Sequence, residues 1–254
     1  MEPAFDSRQR GASDLDLPTL LVVNPNTSAA VTQAIETFVR NEVGAKANVV
    51  CVRAPFGLDY LNSRASVAIA GHAVLDAVAR ARAEGVRPQA ILLACFGDPA
   101  IEALRELFEV PVSGFAEAGL LAAAGLDGPF LVATRGLAWL EMLVDMAGRL
   151  RIQSKVAGYE AIDAYGDDPM AIADALTRRA RELGARRVVL GGAGLIPILG
   201  EVARLAEIQI LDPHRIAVSQ ALDQARSAPP RRRPAHPPSQ ALGLSEHLSN
   251  CFAR

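Results

Sequence analysis

The chain has 254 residues, of which 50% are apolar and 21% charged, with a formal net charge of −2. That length suffices for one large α/β domain or two small lobes with sizeable cores, and the near-neutral balance argues against a nucleic-acid or anionic-membrane partner. Three cysteines, Cys51, Cys95 and Cys251, with no CxxC pair, argue against a disulfide framework and a cysteine zinc site and fit a reducing, intracellular compartment.

Residues 1–17 are polar and acidic and lack the apolar stretch of a signal peptide; they read as a disordered N-terminal tail. No run supplies the roughly 20 apolar residues of a membrane span, so the expected location is the cytoplasm. From Pro18 onward, short apolar runs alternate with longer helical patterns. LLVV (20–23) meets the turn NPNT and the helical stretch SAAVTQAIETFVRNEV, and NVVCV (48–52) precedes ASVAIAGHAVLDAVARARAEG. AILLAC (90–95) and PVSGF (111–115) each lead into a further helix. FLVAT (130–134), KVAGY (155–159), RVVLG (187–191) and IQIL (208–211) repeat the pattern, with PMAIADALTRRARELG as a long helix among them. Alternation of this kind predicts parallel sheets covered by helices. The segment from 227 to the end contains PPRRRPAHPP and reads as a Pro/Arg-rich flexible tail.

The two halves also match in order. Thr134 stands in the second where Asn24 stands in the first, and the turn at Gly192 stands where Cys95 does. Two sets of four strands predict two pseudo-symmetric α/β lobes, the first from 18–112 plus 213–226 and the second from 113–212. Ligands of open α/β sheets lie beyond the carboxyl ends of the strands, so two facing lobes would hold a small molecule between them.

Cys95 ends a strand directly before a helix, where free amides and the helix dipole favour thiolate; the alternative is a small buried hydrophobe. Cys51 reads as core, and Cys251 as a tail residue without function. Asp98 and Pro99 read as a helix start, an N-cap carboxylate followed by proline at the first helical position, with the Gly97 amide left for a ligand oxygen. Asn24, Asn26, Thr27 and Ser28 form a turn that either binds a carboxylate or carbonyl or is a capped turn alone. Arg135 either pairs with an anionic substrate or points to solvent. His72 reads as a mid-helix packing or surface residue and His214 as a residue of a helix N-terminus. No metal-ligand spacing, P-loop, GxSxG or dinucleotide fingerprint is present. Phe56, Tyr60 and Phe96 are candidate pocket linings, each equally readable as packing.

Taken together, LLVVNPNTS, FGLDYLNSRASVAIAGHAVLDA, ILLACFGDPAIEALRELFEVPVSGFAEAG, FLVATRG and VVLGGAGLIPIL followed by ILDP resemble the aspartate/glutamate/hydantoin racemase superfamily, in particular its hydantoin racemase branch. The resemblance spans about residues 20–218. It implies an active site at the lobe interface, no cofactor, no metal, and a small carbonyl- or carboxylate-bearing substrate. In the family, one cysteine from each lobe flanks the substrate's stereocentre, one thiolate removing a proton and the other thiol returning one to the opposite face. Cys95 matches the first-lobe cysteine. Asn24 and Thr134 match substrate-holding positions, the amides following Cys95, at Phe96 and Gly97, match donors to a carbonyl oxygen, and the Gly192–Ala193 turn forms the second wall with its amides facing the ligand. Gly192 is the departure, because relatives carry their second cysteine there.

Three functions stand as alternatives. The first is a racemase or epimerase of hydantoin-like or amino-acid-like molecules working through Cys95. The second is a single-cysteine lyase, isomerase or hydrolytic enzyme, and the third a binding protein for small carbonyl ligands. The oligomeric state is left open, a homo-oligomer included.

Overall fold

The computed structural model describes residues 17–227 and 239–253. Eight strands form two four-stranded sheets. In the first, β1 (Thr19–Asn24) lies between β2 (Asn48–Arg53) and β3 (Ala90–Leu93), with β4 (Val112–Gly114) beyond β3. In the second, β5 (Phe130–Thr134) lies between β6 (Val156–Ala161) and β7 (Arg187–Leu190), with β8 (Gln209–Leu211) beyond β7. Every pairing is parallel. The orders β2-β1-β3-β4 and β6-β5-β7-β8 superpose when four is added to each label, which is the expected α/β pseudo-symmetry.

The helices are α1 (Ala29–Val43), α2 (Arg64–Ala83), α3 (Ile101–Leu107), α4 (Phe115–Ala124), α5 (Leu137–Arg149), α6 (Pro169–Glu182), α7 (Ile196–Leu205), α8 (Pro213–Ser227) and α9 (Glu246–Ser249). Helices on both faces explain why the central strands are continuously apolar rather than alternating. Side chains still alternate in direction. Leu20 and Val22 of β1 join Phe130 and Val132 of β5 and Phe115 of α4 in one central core shared by the two sheets. Leu21 and Val23 turn outward to pack with Val74 and Val78 of α2, while Leu131 and Ala133 do the same with Ile172 and Leu176 of α6. The lobes are therefore joined through a common interior, and α8 returns to pack on α1, α4, β3 and β4.

Two boundaries differ from the sequence reading. β4 continues to Gly114 as the edge strand of the first sheet, so a division after residue 112 cuts a strand. Residues 228–238, which include the proline-rich run, lie outside the described residues. Beyond them, residues of the expected flexible tail pack instead of hanging free. Leu248 is buried among Val74, Ala77 and Leu104, with Cys251 and Phe252 beside it. Ser245 caps α9 and donates to the buried Asp76 of α2. Composition signals the linker but misses the apolar residues Leu244, Leu248 and Phe252 that anchor the chain's last segment. Among the described residues, no helix is long and apolar enough to cross a membrane.

Candidate active site

A cavity of about 190 Å³ opens beyond the carboxyl ends of β1, β3, β5 and β7. These are the inner strands of the two sheets, where the chain reverses direction of winding and α/β sheets bind ligands.

The turn after β1 supplies one corner. Asn24 is buried, and its Nδ2 donates to Asn26 Oδ1 (2.8 Å) and Thr32 Oγ1 (2.9 Å) while its Oδ1 accepts the Asn26 N–H (3.3 Å). Asn26 Oδ1 also takes the Ser28 N–H (3.0 Å), and Ser28 caps α1 by accepting the Val31 N–H (3.3 Å). Both readings of this turn hold at once: it is a capped turn that also lines the cavity. Asn24 mainly fastens the turn, whereas the Asn26 side-chain N–H groups have no acceptor among the described residues and are the donors left for a ligand.

Cys95 follows β3 and lines the first wall. Burial pushes its thiol well above the ordinary value, the Asp98 charge adds to this, and a bond from the Asp98 backbone N–H works against it; Cys95 rests as the protonated thiol. The Phe96 N–H finds no acceptor among the described residues. Gly97 differs from expectation, because its N–H donates to the Cys95 carbonyl oxygen (2.9 Å) and is not held for a ligand. Its glycine character has a steric cause: a Cβ there would come within 2.1 Å of the Trp139 ring.

Asp98 also corrects its sequence reading. It does not cap its own helix, since α3 begins at Ile101 after Ala100 in the left-handed conformation. Its carboxylate crosses to the start of α4, accepting the Ala116 N–H (3.2 Å) and Glu117 N–H (2.7 Å). Gly114 makes the room, because a Cβ there would lie 2.3–2.5 Å from the carboxylate atoms. Asp98 itself has φ +46°. Burial raises its pKa to about 7 despite the Glu117 and Ala116 amides, with the Glu117 charge raising and Arg105 lowering it further.

The second wall comes from β5 and β7. Thr134 and Arg135 line the cavity. One terminal nitrogen of the Arg135 guanidinium is tied to Gly166 O (2.7 Å) and Asp167 Oδ1 (2.5 Å), which rules out a side chain hanging free in solvent, while its buried Nε has no partner among the described residues. Gly191 is forced by packing, since a Cβ would lie 2.3 Å from the Phe96 ring. Gly192 has φ +137° and lines the cavity with Ala193. Its amide does not face a ligand, however; it donates to His214 Nε2 (3.3 Å). The Ala193 and Gly194 amides, at the start of the turn leading into α7, have no acceptor among the described residues.

Phe96 and Tyr60 line the cavity as anticipated, whereas Phe56 packs on His72 (ring centroids 4.9 Å apart) and is not part of the lining. Sequence reasoning missed Trp139, whose Nε1–H donates to Leu61 O (2.7 Å) from the opposite lobe. A lone tryptophan in an amphipathic helix carries one usable signal, the need of its N–H for a partner when buried. Cys51, beside Thr32 and partly buried in the central core, has its thiol pushed up to about 12 by burial, then by Glu36 and against Arg40; it behaves as a core residue. Among the described residues, no three His, Cys, Asp or Glu side chains gather as a metal site would need.

Chemically, this is a small, mainly apolar chamber with one thiol on its first wall, amide and hydroxyl donors around it, and no acid–base side chain at the facing glycine turn. Comparison with known proteins bears on the family and the fold. A family model described as Asp/Glu/hydantoin racemase matches residues 20–221. A hydantoin racemase of Paenarthrobacter aurescens is 28% identical over 202 residues, covering 76% of this chain and 85% of that protein. One from a Pseudomonas species is 29% identical over 202 residues, covering 75% and 79%. Among solved structures, an allantoin racemase from Klebsiella pneumoniae superposes with a TM-score of 0.76 at 23% identity, over 92% of this chain and 98% of that one.

Proposed function

Since the chain belongs to the Asp/Glu/hydantoin racemase family, we propose that it moves a proton on the carbon beside a carbonyl of a hydantoin-like or amino-acid-like small molecule, with Cys95 as the proton-transfer group. The observation that carries this reading is the Cys95 thiol on the wall of the cavity, next to the unbonded Phe96 amide. Removing a proton beside a carbonyl leaves an enolate, whose oxygen needs fixed donors. We assign this role to the Phe96, Ala193 and Gly194 amides, with the Thr134 hydroxyl and the Asn26 amide, all from residues that line the cavity. This chemistry calls for no cofactor.

Racemisation also needs a proton on the opposite face. At Gly192 no side chain supplies one, so solvent does, and a missing acid–base group costs about 10²–10⁴-fold. Exchange of the substrate proton therefore outpaces loss of chirality. The same feature favours a second reading, a one-thiol reaction that keeps configuration throughout.

Both are read in one experiment. Enantiopure 5-substituted hydantoins are incubated in D₂O while optical rotation and deuterium at C5 are followed. The first reading expects exchange with slower loss of rotation; exchange with full retention supports the second. Because the thiol is raised, the rate climbs with pH through the alkaline range as thiolate forms. Cys95→Ser should lose both signals while melting as the wild type does. Unchanged turnover in that variant would remove Cys95 from the mechanism, and no exchange with hydantoins, amino acids or malonates would remove the proposed function.

A further inference from the structure

His214 is the chain's one completely buried histidine among the described residues, and it stands directly behind the Gly192 turn of the second wall. We propose that His214 is a positioning residue for the second wall: held by Asp212 and accepting the Gly192 N–H, it turns that amide inward and leaves the Ala193 and Gly194 amides as the donors that meet the substrate oxygen. The assignment rests on the proposed function for its substrate, but not for its geometry.

The geometry is a continuous chain of hydrogen bonds. Asp212 Oδ1 lies 2.9 Å from His214 Nδ1 and also accepts the backbone N–H groups of His214 (2.9 Å) and Arg215 (3.3 Å). Burial alone would raise the Asp212 carboxyl, yet these bonds, led by the one from the His214 ring, hold it below its ordinary value. A carboxylate accepts only, so Nδ1 carries the ring proton. The other ring nitrogen, Nε2, faces the Gly192 N–H at 3.3 Å and is the acceptor. The two contacts thus fix one tautomer, and that tautomer fixes which way the Gly192 peptide points.

The surroundings leave the ring no other choice. Phe115 packs on it edge-to-face with centroids 4.8 Å apart, and Phe38 lies on it at 6.2 Å. Gly192 in turn has φ +137° and ψ +128°, a backbone state that side-chain-bearing residues rarely adopt. The loss of a side chain at 192 and the presence of an acceptor behind it fit together. Without Cβ the peptide can rotate its N–H toward His214, and the next two amides are then free at the start of the turn into α7. His214 does not line the cavity, so it acts through the backbone and does not touch substrate.

Two measurements test this on the full chain. In protein labelled with ¹⁵N-histidine, the resonance missing from a His214→Gln variant should show Nδ1 protonated and Nε2 bare, and the Gly192 amide should exchange with D₂O far more slowly than those of Ala193 and Gly194. His214→Phe keeps the ring's packing but removes the acceptor. It should expose the Gly192 amide and lower kcat/KM for hydantoin C5 exchange about tenfold to a hundredfold. His214→Gln, which offers an acceptor oxygen, should recover most of that loss even where its melting temperature falls as far as that of His214→Phe. A protonated Nε2, or a Gly192 amide as labile as its neighbours, overturns the proposal; so does equal activity loss in the two variants. If the wild type exchanges no substrate while Gly192 stays protected in a His214-dependent way, the positioning holds and the proposed function is what has failed.

Discussion

Gly192→Cys places a second thiol on the wall facing Cys95, and its consequences can be worked out from the turn. A Cβ at Gly192 would meet Thr134 Oγ1 at 3.5 Å and Leu195 Cδ1 at 3.6 Å, both ordinary contacts. Space is therefore available, and the side chain would lie beside Thr134, a residue of the cavity wall. The cost is in the backbone: φ +137° is strained for any residue with a Cβ. Such strain amounts to about 1–3 kcal/mol, and at about 2–4 °C per kcal/mol for a chain of this size the melting temperature falls by about 2–12 °C. Gly192→Ala bears the same strain without the thiol, so the comparison of the two variants isolates the chemistry. If the added thiol reaches the second face, racemisation rises about 10²–10⁴-fold over Gly192→Ala, while exchange changes far less. Polarimetry of an enantiopure hydantoin in D₂O, with mass spectrometry for deuterium, reads both rates. A Gly192→Cys protein that melts with Gly192→Ala and racemises no faster would show that the glycine turn does not face Cys95 across the substrate.

Asp98 makes stability depend on pH in a defined direction. Its folded value of about 7 lies above the ordinary 3.8, so between those limits the folded chain holds the proton that the unfolded chain gives up, and stability falls as pH rises through that window. The difference between the two values corresponds to something on the order of 4 kcal/mol. Urea titrations from pH 4 to 8 should show that slope in the wild type and a flatter one in Asp98→Asn; equal slopes would refute it. Asp212, held low, contributes in the opposite sense and only below about pH 4. Gly191→Ala, driving a methyl into the Phe96 ring, should cost about 1–3 kcal/mol by urea titration, and a variant as stable as the wild type would mean that Phe96 is not wedged against β7.

The fold was legible because the eight strands are short, apolar and punctuated by glycine, proline and asparagine, and because a parallel sheet buried on both faces demands such runs. Cys95, Asn24, Thr134 and Gly192 were legible as cavity-lining residues because each ends or closely follows an inner strand of its sheet. The donors were not. Which amide faces a ligand depends on where each N–H sends its own hydrogen bond, and that partner lies far along the chain for Gly192, at His214, but only two residues back for Gly97, at the Cys95 carbonyl. Asp98 shows the same limit. Asp-Pro reads locally as a helix start, but the carboxylate finds better donors on α4, 18 and 19 residues away. The docking of the tail was hidden for a related reason. Proline and arginine dominate its first part, and three apolar side chains beyond it decide where it docks.

The glycines on either side of the cavity are best explained as a pair of exchanges between the lobes. Gly97 of the first lobe receives the Trp139 ring of the second, and Gly191 of the second receives the Phe96 ring of the first. Each ring sits on bare backbone beside one of the two turns that form the facing walls, at Cys95 and at Gly192. Trp139 is further fixed by its bond to Leu61. These contacts set the spacing of the walls without using any atom of residue 192. The side chain at 192 can therefore be lost with little effect on the chamber's shape, provided the freed peptide has somewhere to point, and His214 supplies that acceptor. What such a loss changes is the chemistry available on one face of the substrate, which is why proton exchange and racemisation should separate in this protein.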